Sequence, residues 1–205
     1  MPTVTERPAE HPLLYPEVRE SIEDGDIILF SGEREISKLI ARISNAAYSH
    51  VGLVLTWYGR RILLSAEMPK IQALPLGLAV AGYPGRVDLY KLVPEARARL
   101  DLDKLATEAL VNLGIEYGTD KIFSLAAHYT IGMHVDEKDE EETPESMICS
   151  QYVSRCFRKA GVDFSSLSDV ETVPGEIAGS PLVRYVGTLK PVDKDITKAR
   201  LQRAM

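Results

Sequence analysis

The chain has 205 residues, 45% of them hydrophobic, and a formal net charge of −6. That length and apolar content provide for one sizeable domain with its own core, and the acidic balance argues against nucleic acid as a partner. No basic start followed by an apolar run opens the chain, and no apolar stretch approaches the ~20 residues that span a bilayer. The expectation is therefore a cytoplasmic protein with no integral membrane segment.

Residues 1–15 read as a loose arm, with Pro2, Pro8 and Pro12 and little that is apolar. Residues 16–190 read as a single domain and 191–205 as a polar tail, helical or frayed. Tyr15 to Ile22 suits one short helical turn. Glu23-Asp24-Gly25 is a turn, and Asp26 to Phe30 (DIILF) is a buried strand. Ser31-Gly32 breaks it. Glu33 to Ser44 then places Ile36, Leu39, Ile40 and Ile43 on one helical face.

Tyr48 to Thr56 and Arg61 to Ala66 are strands joined by a tight turn. If the loop is centred on Tyr58-Gly59, opposed residues carry numbers summing to 117, which sets His50 against Glu67. Directly opposed side chains share a face with Cβ atoms about 5 Å apart. A carboxylate so placed can fix the tautomer of an imidazole and stabilise its charged form. The competing reading is a half-buried His–Glu pair without chemistry. A one-residue change of loop would pair His50 with Met68 or Ala66 instead.

Met68 to Pro84 shows no clean period and reads as a wandering segment with one helical turn at Leu76–Ala81. Val87 to Leu92 alternates as a strand, which Pro94 ends. Asp101 to Leu113 is an amphipathic helix closed by Gly114. Ile115-Glu116-Tyr117-Gly118 reads as a tight loop, and Thr119 caps a helix running to about Thr130. His128 and His134 have no metal-type partner at helical spacing and read as structural or exposed. Asp136 to Glu142 (DEKDEEE) reads as a solvated loop that ends just before a further helix and overhangs its start.

That helix spans Met147 to Gly161 (MICSQYVSRCFRKAG), with Glu145 and Ser146 as capping residues. Cys149 falls in its first turn, where free N–H groups and the helix dipole favour a thiolate. The bland alternative is that Cys149 is a small buried filler. Cys156, seven residues on, lies about 10.5 Å along the axis. That separation excludes a disulfide and a shared zinc, whose bonds to sulfur are about 2.3 Å. Cys156 therefore reads as packing, and two unbridged cysteines suit a reducing compartment. After Gly161 the chain is irregular, with a short helix at Glu176–Ala178 and a last strand over Leu182–Leu189.

Gly114-Ile115-Glu116-Tyr117, taken with Cys149-Ser150-Gln151-Tyr152-Val153 and Gly161, resembles the signature of NlpC-type papain-like cysteine peptidases. In ordinary members the histidine follows the cysteine. Here Ser49-His50-Val51-Gly52 precedes it by about a hundred residues. That order resembles the circularly permuted, YiiX/YebB-like branch, related in fold to lecithin retinol acyltransferase. Gly25-Asp26-Ile27-Ile28, Ala66-Glu67 and the segment Val173 to Pro181 fit the same branch. Ile148, where an aspartate commonly precedes the cysteine, is a departure, and so is the long gap between Tyr117 and Cys149.

The resemblance implies an α+β, permuted papain-like fold with an antiparallel sheet packed against a cysteine-bearing helix. It implies Cys149 as nucleophile, His50 as general base and acid, Glu67 as orienting group and Tyr117 as an oxyanion donor beside the Cys149 N–H. No metal or organic cofactor is implied. The expected activity is a thiol-dependent hydrolase of an amide, in a cell-wall-type peptide or a small amide. The alternatives are a lipid-directed thiol acyltransferase or esterase, and a non-catalytic binding domain of the same fold.

Overall fold

The structure, a computed structural model, describes residues 6–32, 47–119, 121–122, 144–165 and 168–191. The expected helices over Glu33–Ser44 and most of Thr119–Thr130, His128, His134, the acidic run Asp136–Glu142 and the tail beyond 191 lie outside the described residues.

Nine strands are described: β1 (Pro12–Leu14), β2 (Ile27–Ser31), β3 (His50–Trp57), β4 (Arg60–Ala66), β5 (Ile71–Pro75), β6 (Arg86–Leu92), β7 (Glu116–Tyr117), β8 (Ser146–Met147) and β9 (Val183–Lys190). Seven form one sheet in the order β1-β9-β6-β2-β3-β4-β5, antiparallel except where β1 runs parallel to β9. The helices are α1 (Tyr15–Val18), α2 (Leu76–Gly82), α3 (Pro94–Arg99), α4 (Leu102–Val111), α5 (Cys149–Lys159) and α6 (Pro174–Gly179). The fold is therefore mixed α+β around a mainly antiparallel sheet.

Alternation along the central strands separates two cores. Ile27, Leu29, Val51, Leu53 and Leu64 join Tyr152, Val153, Cys156 and Phe157 of α5 in the larger one. Ile28, Phe30, Val54, Leu63, Val87 and Leu89 join Leu76 and Val80 of α2 in the other. Because both faces of β2 are covered, all five of its residues are buried, and Asp26 to Phe30 reads as an unbroken apolar run after its aspartate.

The hairpin register follows from its turn. Tyr58 and Gly59 both have positive φ, +48° and +73°, the geometry that joins two strands through a two-residue loop. Trp57 then pairs with Arg60 and Leu53 with Leu64, so opposed numbers sum to 117 as the sequence predicts. Continuing that ladder brings His50 against Glu67. Gly52, two residues further in along β3, is tightly enclosed: an added Cβ would stand 2.6 Å from Leu63 Cδ1 and 2.9 Å from the Leu64 carbonyl oxygen. The carbonyl belongs to the neighbouring strand and cannot swing aside. Gly52→Ala is expected to destabilise the fold by about 1–3 kcal/mol, read as a lower urea midpoint.

Four expectations change. Pro12–Leu14, assigned to the loose arm, pairs with Thr188–Lys190, because β9 would otherwise leave a bare edge. Met68–Pro84 is not a wandering segment: Ile71–Pro75 is an edge strand on β4. Pro94 ends β6 but also opens α3, at a position where its missing N–H costs nothing. Within the expected tight loop, Glu116–Tyr117 instead makes a short parallel pairing with Ser146–Met147.

Candidate active site

The site lies where three separate stretches end beside one another. β3 delivers His50 as its first residue. β4 ends at Ala66 and hands on to Glu67. Tyr117 arrives by a backbone relay: Ile71 N–H donates to Ile115 O at 2.8 Å, Gly114 N–H to Ile71 O at 3.0 Å, and Tyr117 N–H to Pro69 O at 2.9 Å. Tyr117 then pairs with Met147, two residues before Cys149. The loop after α4 and the start of α5 are thus bound to the end of the hairpin.

Cys149 is the first residue of α5. Its N-cap is Ile148, extended at φ −87° and ψ 166°, and no side chain caps the helix. Glu145 and Ser146 do not act as caps, because Ser146 and Met147 are held in β8. The first-turn N–H groups are therefore not taken up by a capping oxygen, and the positive end of the helix dipole bears on the sulfur. Every residue from Cys149 to Phe157 is buried, including Ser150, Gln151, Ser154 and Arg155. Arg155 Nε meets Glu108 Oε1 at 2.6 Å, and Ser154 Oγ donates to Asp169 Oδ1 at 2.9 Å. The helix is therefore anchored on several sides.

His50 Nε2 faces Glu67 Oε1 at 3.4 Å, an ion-pair distance looser than a well-formed hydrogen bond. On its flank the ring packs against Phe30, centroids 5.2 Å apart. Burial alone would depress the imidazole pKa. The charge and hydrogen bond of Cys149, followed by Glu67, more than reverse that and push it up to about 9. Glu67 titrates below its usual range, chiefly because of His50, with Ser65 and Gln72 adding to the effect and burial opposing it. Burial, and then the charges of Cys149 and Glu67, raise the Tyr117 phenol well above its ordinary value, so it stays protonated and able to donate.

The structure thus brings together all four residues that the sequence singles out: Cys149, His50, Glu67 and Tyr117. Exposure rises outward, from 2% at Cys149 to 16% for the His50 side chain and 39% for that of Glu67. Cys156 is wholly buried, and burial drives its thiol pKa well up.

Three neighbours escape a reading of the sequence. Phe30 presents itself there only as part of a buried strand. Ser65 Oγ donates to Glu67 Oε1 at 3.3 Å and Gln72 Nε2 to Glu67 Oε2 at 3.1 Å. The signal for Gln72 is the short alternation Ile71-Gln72-Ala73-Leu74 between Pro69 and Pro75.

No protein-family model and no curated protein sequence matches the chain. A solved structure does match its fold. The crystal structure of the metalloprotein YiiX from Escherichia coli O157:H7 aligns with a TM-score of 0.58 and 19% identity, over 83% of this chain and 99% of that one. The fold is YiiX-like.

The metal is a property of that protein. Among the described residues here, no three His, Cys, Asp or Glu side chains are disposed to hold one ion. The nearest approach to such a set is His50, Glu67 and Cys149, in which His50 Nε2 faces the Glu67 carboxylate at 3.4 Å. Both Glu67 oxygens accept from protein side chains, and the imidazole interacts with both the carboxylate and the sulfur. These residues do not fit a resident metal, and no chemical step is assigned to one.

Proposed function

We propose that this YiiX-like fold carries a thiol-dependent hydrolase, a cysteine peptidase or amidase that cleaves an amide bond in a cell-wall-type peptide or other small amide. On this reading the architecture is a circularly permuted papain-like one, with the histidine strand ahead of the cysteine helix. Chain order does not matter to the chemistry, because such a triad is defined by geometry and role.

The observation that carries the proposal is a grouping: Cys149 opens α5, and beside it His50 Nε2 faces Glu67 Oε1 at 3.4 Å. Burial lowers the imidazole pKa, but the Cys149 sulfur and the Glu67 carboxylate push it up to about 9, which favours the protonated form at neutral pH. His50 is therefore poised as an acid beside the nucleophile. The sulfur attacks the amide carbonyl and forms a C–S bond. The carbonyl oxygen becomes an oxyanion, received by the Cys149 N–H and the Tyr117 hydroxyl. When the C–N bond breaks, the proton on His50 goes to the leaving nitrogen. Neutral His50 then takes a proton from water, whose oxygen attacks the thioester and releases the acid. The sulfur and the imidazolium are restored, and the net change is amide plus water to acid plus amine. Glu67 keeps the imidazole oriented throughout.

Differential alkylation tests the proposal. With iodoacetamide at pH 7, Cys149 is expected to label faster than Cys156 by about tenfold or more, read by peptide mass spectrometry. Equal, slow labelling of the two buried thiols would leave a binding domain as the better reading.

A further inference from the structure

The Glu67 carboxylate poses a mechanical problem. It sits just past the end of β4 with 39% of its side chain exposed, and a glutamate so placed would ordinarily sample several rotamers. An orienting group that wanders does not orient. Something must hold it.

The register of the sheet supplies the restraint. Ser65 of β4 lies directly opposite Gln72 of β5. Opposed residues share a face, and residues two apart along a strand share it too. Ser65, Glu67 and Gln72 therefore project together, with His50 joining them from β3. Gly52, opposite Ser65 when the β3–β4 ladder is continued, keeps this row open: an added Cβ there would stand 3.1 Å from the Ser65 Cβ. The bonds divide the carboxylate between its two oxygens. Gln72 Nε2 takes Oε2 at 3.1 Å. Oε1 is left facing His50 Nε2 at 3.4 Å, with the buried Ser65 hydroxyl at 3.3 Å beside it.

Resting on the hydrolase reading, we propose that Gln72 is a positioning residue: by holding Glu67 Oε2 it turns Oε1 onto His50. Gln72 touches neither the sulfur nor the imidazole in any bond described, so it acts only through Glu67. Its place on the edge strand follows from that role. An edge residue can be exposed and still reach across to the last residue of the hairpin, whereas a central strand would bury it. Ser65 forms the inner wall. It shares Oε1 with His50, which makes Gln72 the only one of the two that draws the far oxygen away and leaves the near one for the imidazole.

The test uses the whole chain and reads His50 directly. In Gln72→Leu, which keeps the size of the side chain and removes the donor, the His50 titration midpoint followed by NMR is expected to fall from near 9 by about half a unit. The same change made on a Glu67→Gln background is expected to move His50 no further, since the carboxylate it steers is gone. Thermal melts of the two singles serve as the check on folding, and Gln72 is exposed, so Leu is accommodated.

An unchanged or raised midpoint in Gln72→Leu overturns the proposal, and so does an equal fall on the Glu67→Gln background. Neither outcome depends on turnover. If Cys149 proves unreactive while His50 still responds to Gln72, the hydrolase reading fails and the positioning role stands. If Cys149 is reactive and His50 does not respond, the reverse holds.

Discussion

Cys149→Ala is expected to lower hydrolysis of an activated acyl substrate such as p-nitrophenyl acetate by about a thousandfold or more. The magnitude follows from what is removed. On the hydrolase proposal no acyl-enzyme forms without the sulfur, and only binding and the oxyanion donors remain to assist water. The loss is expected without loss of fold. α5 is held by the Arg155–Glu108 pair, by the Ser154 and Arg158 contacts to Asp169, and by a side of Tyr152, Val153 and Phe157 set in the larger core. Deleting one small buried atom costs about 1 kcal/mol against that background. Cys149→Ser keeps the shape and is expected to fail nearly as badly, because a hydroxyl does not share a proton with imidazole as a thiol does. The measurement is the rate paired with a circular-dichroism melt. Full turnover in Cys149→Ala with an unchanged melt would remove the sulfur from the chemistry altogether.

His50→Gln is expected to lower the same rate by about a hundredfold or more, and to change how stability depends on pH. The sign is set by the direction of the shift. The folded imidazole titrates near 9, above its ordinary 6.5, so the fold prefers the protonated form. The stability this confers is complete below about 6.5, the unfolded value. It declines as pH rises toward 9 and is gone above it. Urea midpoints taken from pH 6 to 10 are therefore expected to fall across that window in the wild type. In His50→Gln the His50 share of that fall is absent. Glu67 acts in the opposite range, since its depressed pKa gives stability that is lost only under acid conditions. A wild-type profile that rises between pH 6.5 and 9 would show the imidazole to be neutral, and would remove the acid from the proposed first step.

Much of this site is legible in the sequence because it rests on local rules. A two-residue turn fixes a register, and register alone sets His50 against Glu67. A cysteine just ahead of a helical period ending in glycine places Cys149 at a helix start. The hidden parts depend on contacts distant in sequence. β1 exists only because β9 has an edge to fill, and three residues carry no period of their own. β5 is five residues long, ends on a proline and gains its identity from β4. Ser146 resembles a cap because capping is a local habit of serine, yet pairing with the strand of Tyr117 claims that backbone first. The tyrosine, named from a resemblance, is tied to the stretch after Glu67 through Pro69, Ile71 and Ile115 and to the start of α5 through Met147, which local patterning does not connect.

The β7–β8 pairing has a consequence for changes in chain length. Tyr117 and Met147 are adjacent partners, about 5 Å apart across the two strands, although residues 118–146 separate them in sequence. Loop closure across such a clasp depends only weakly on the number of residues enclosed. A change in the number of residues enclosed therefore costs the clasp little, and Cys149 and Tyr117 stay in register.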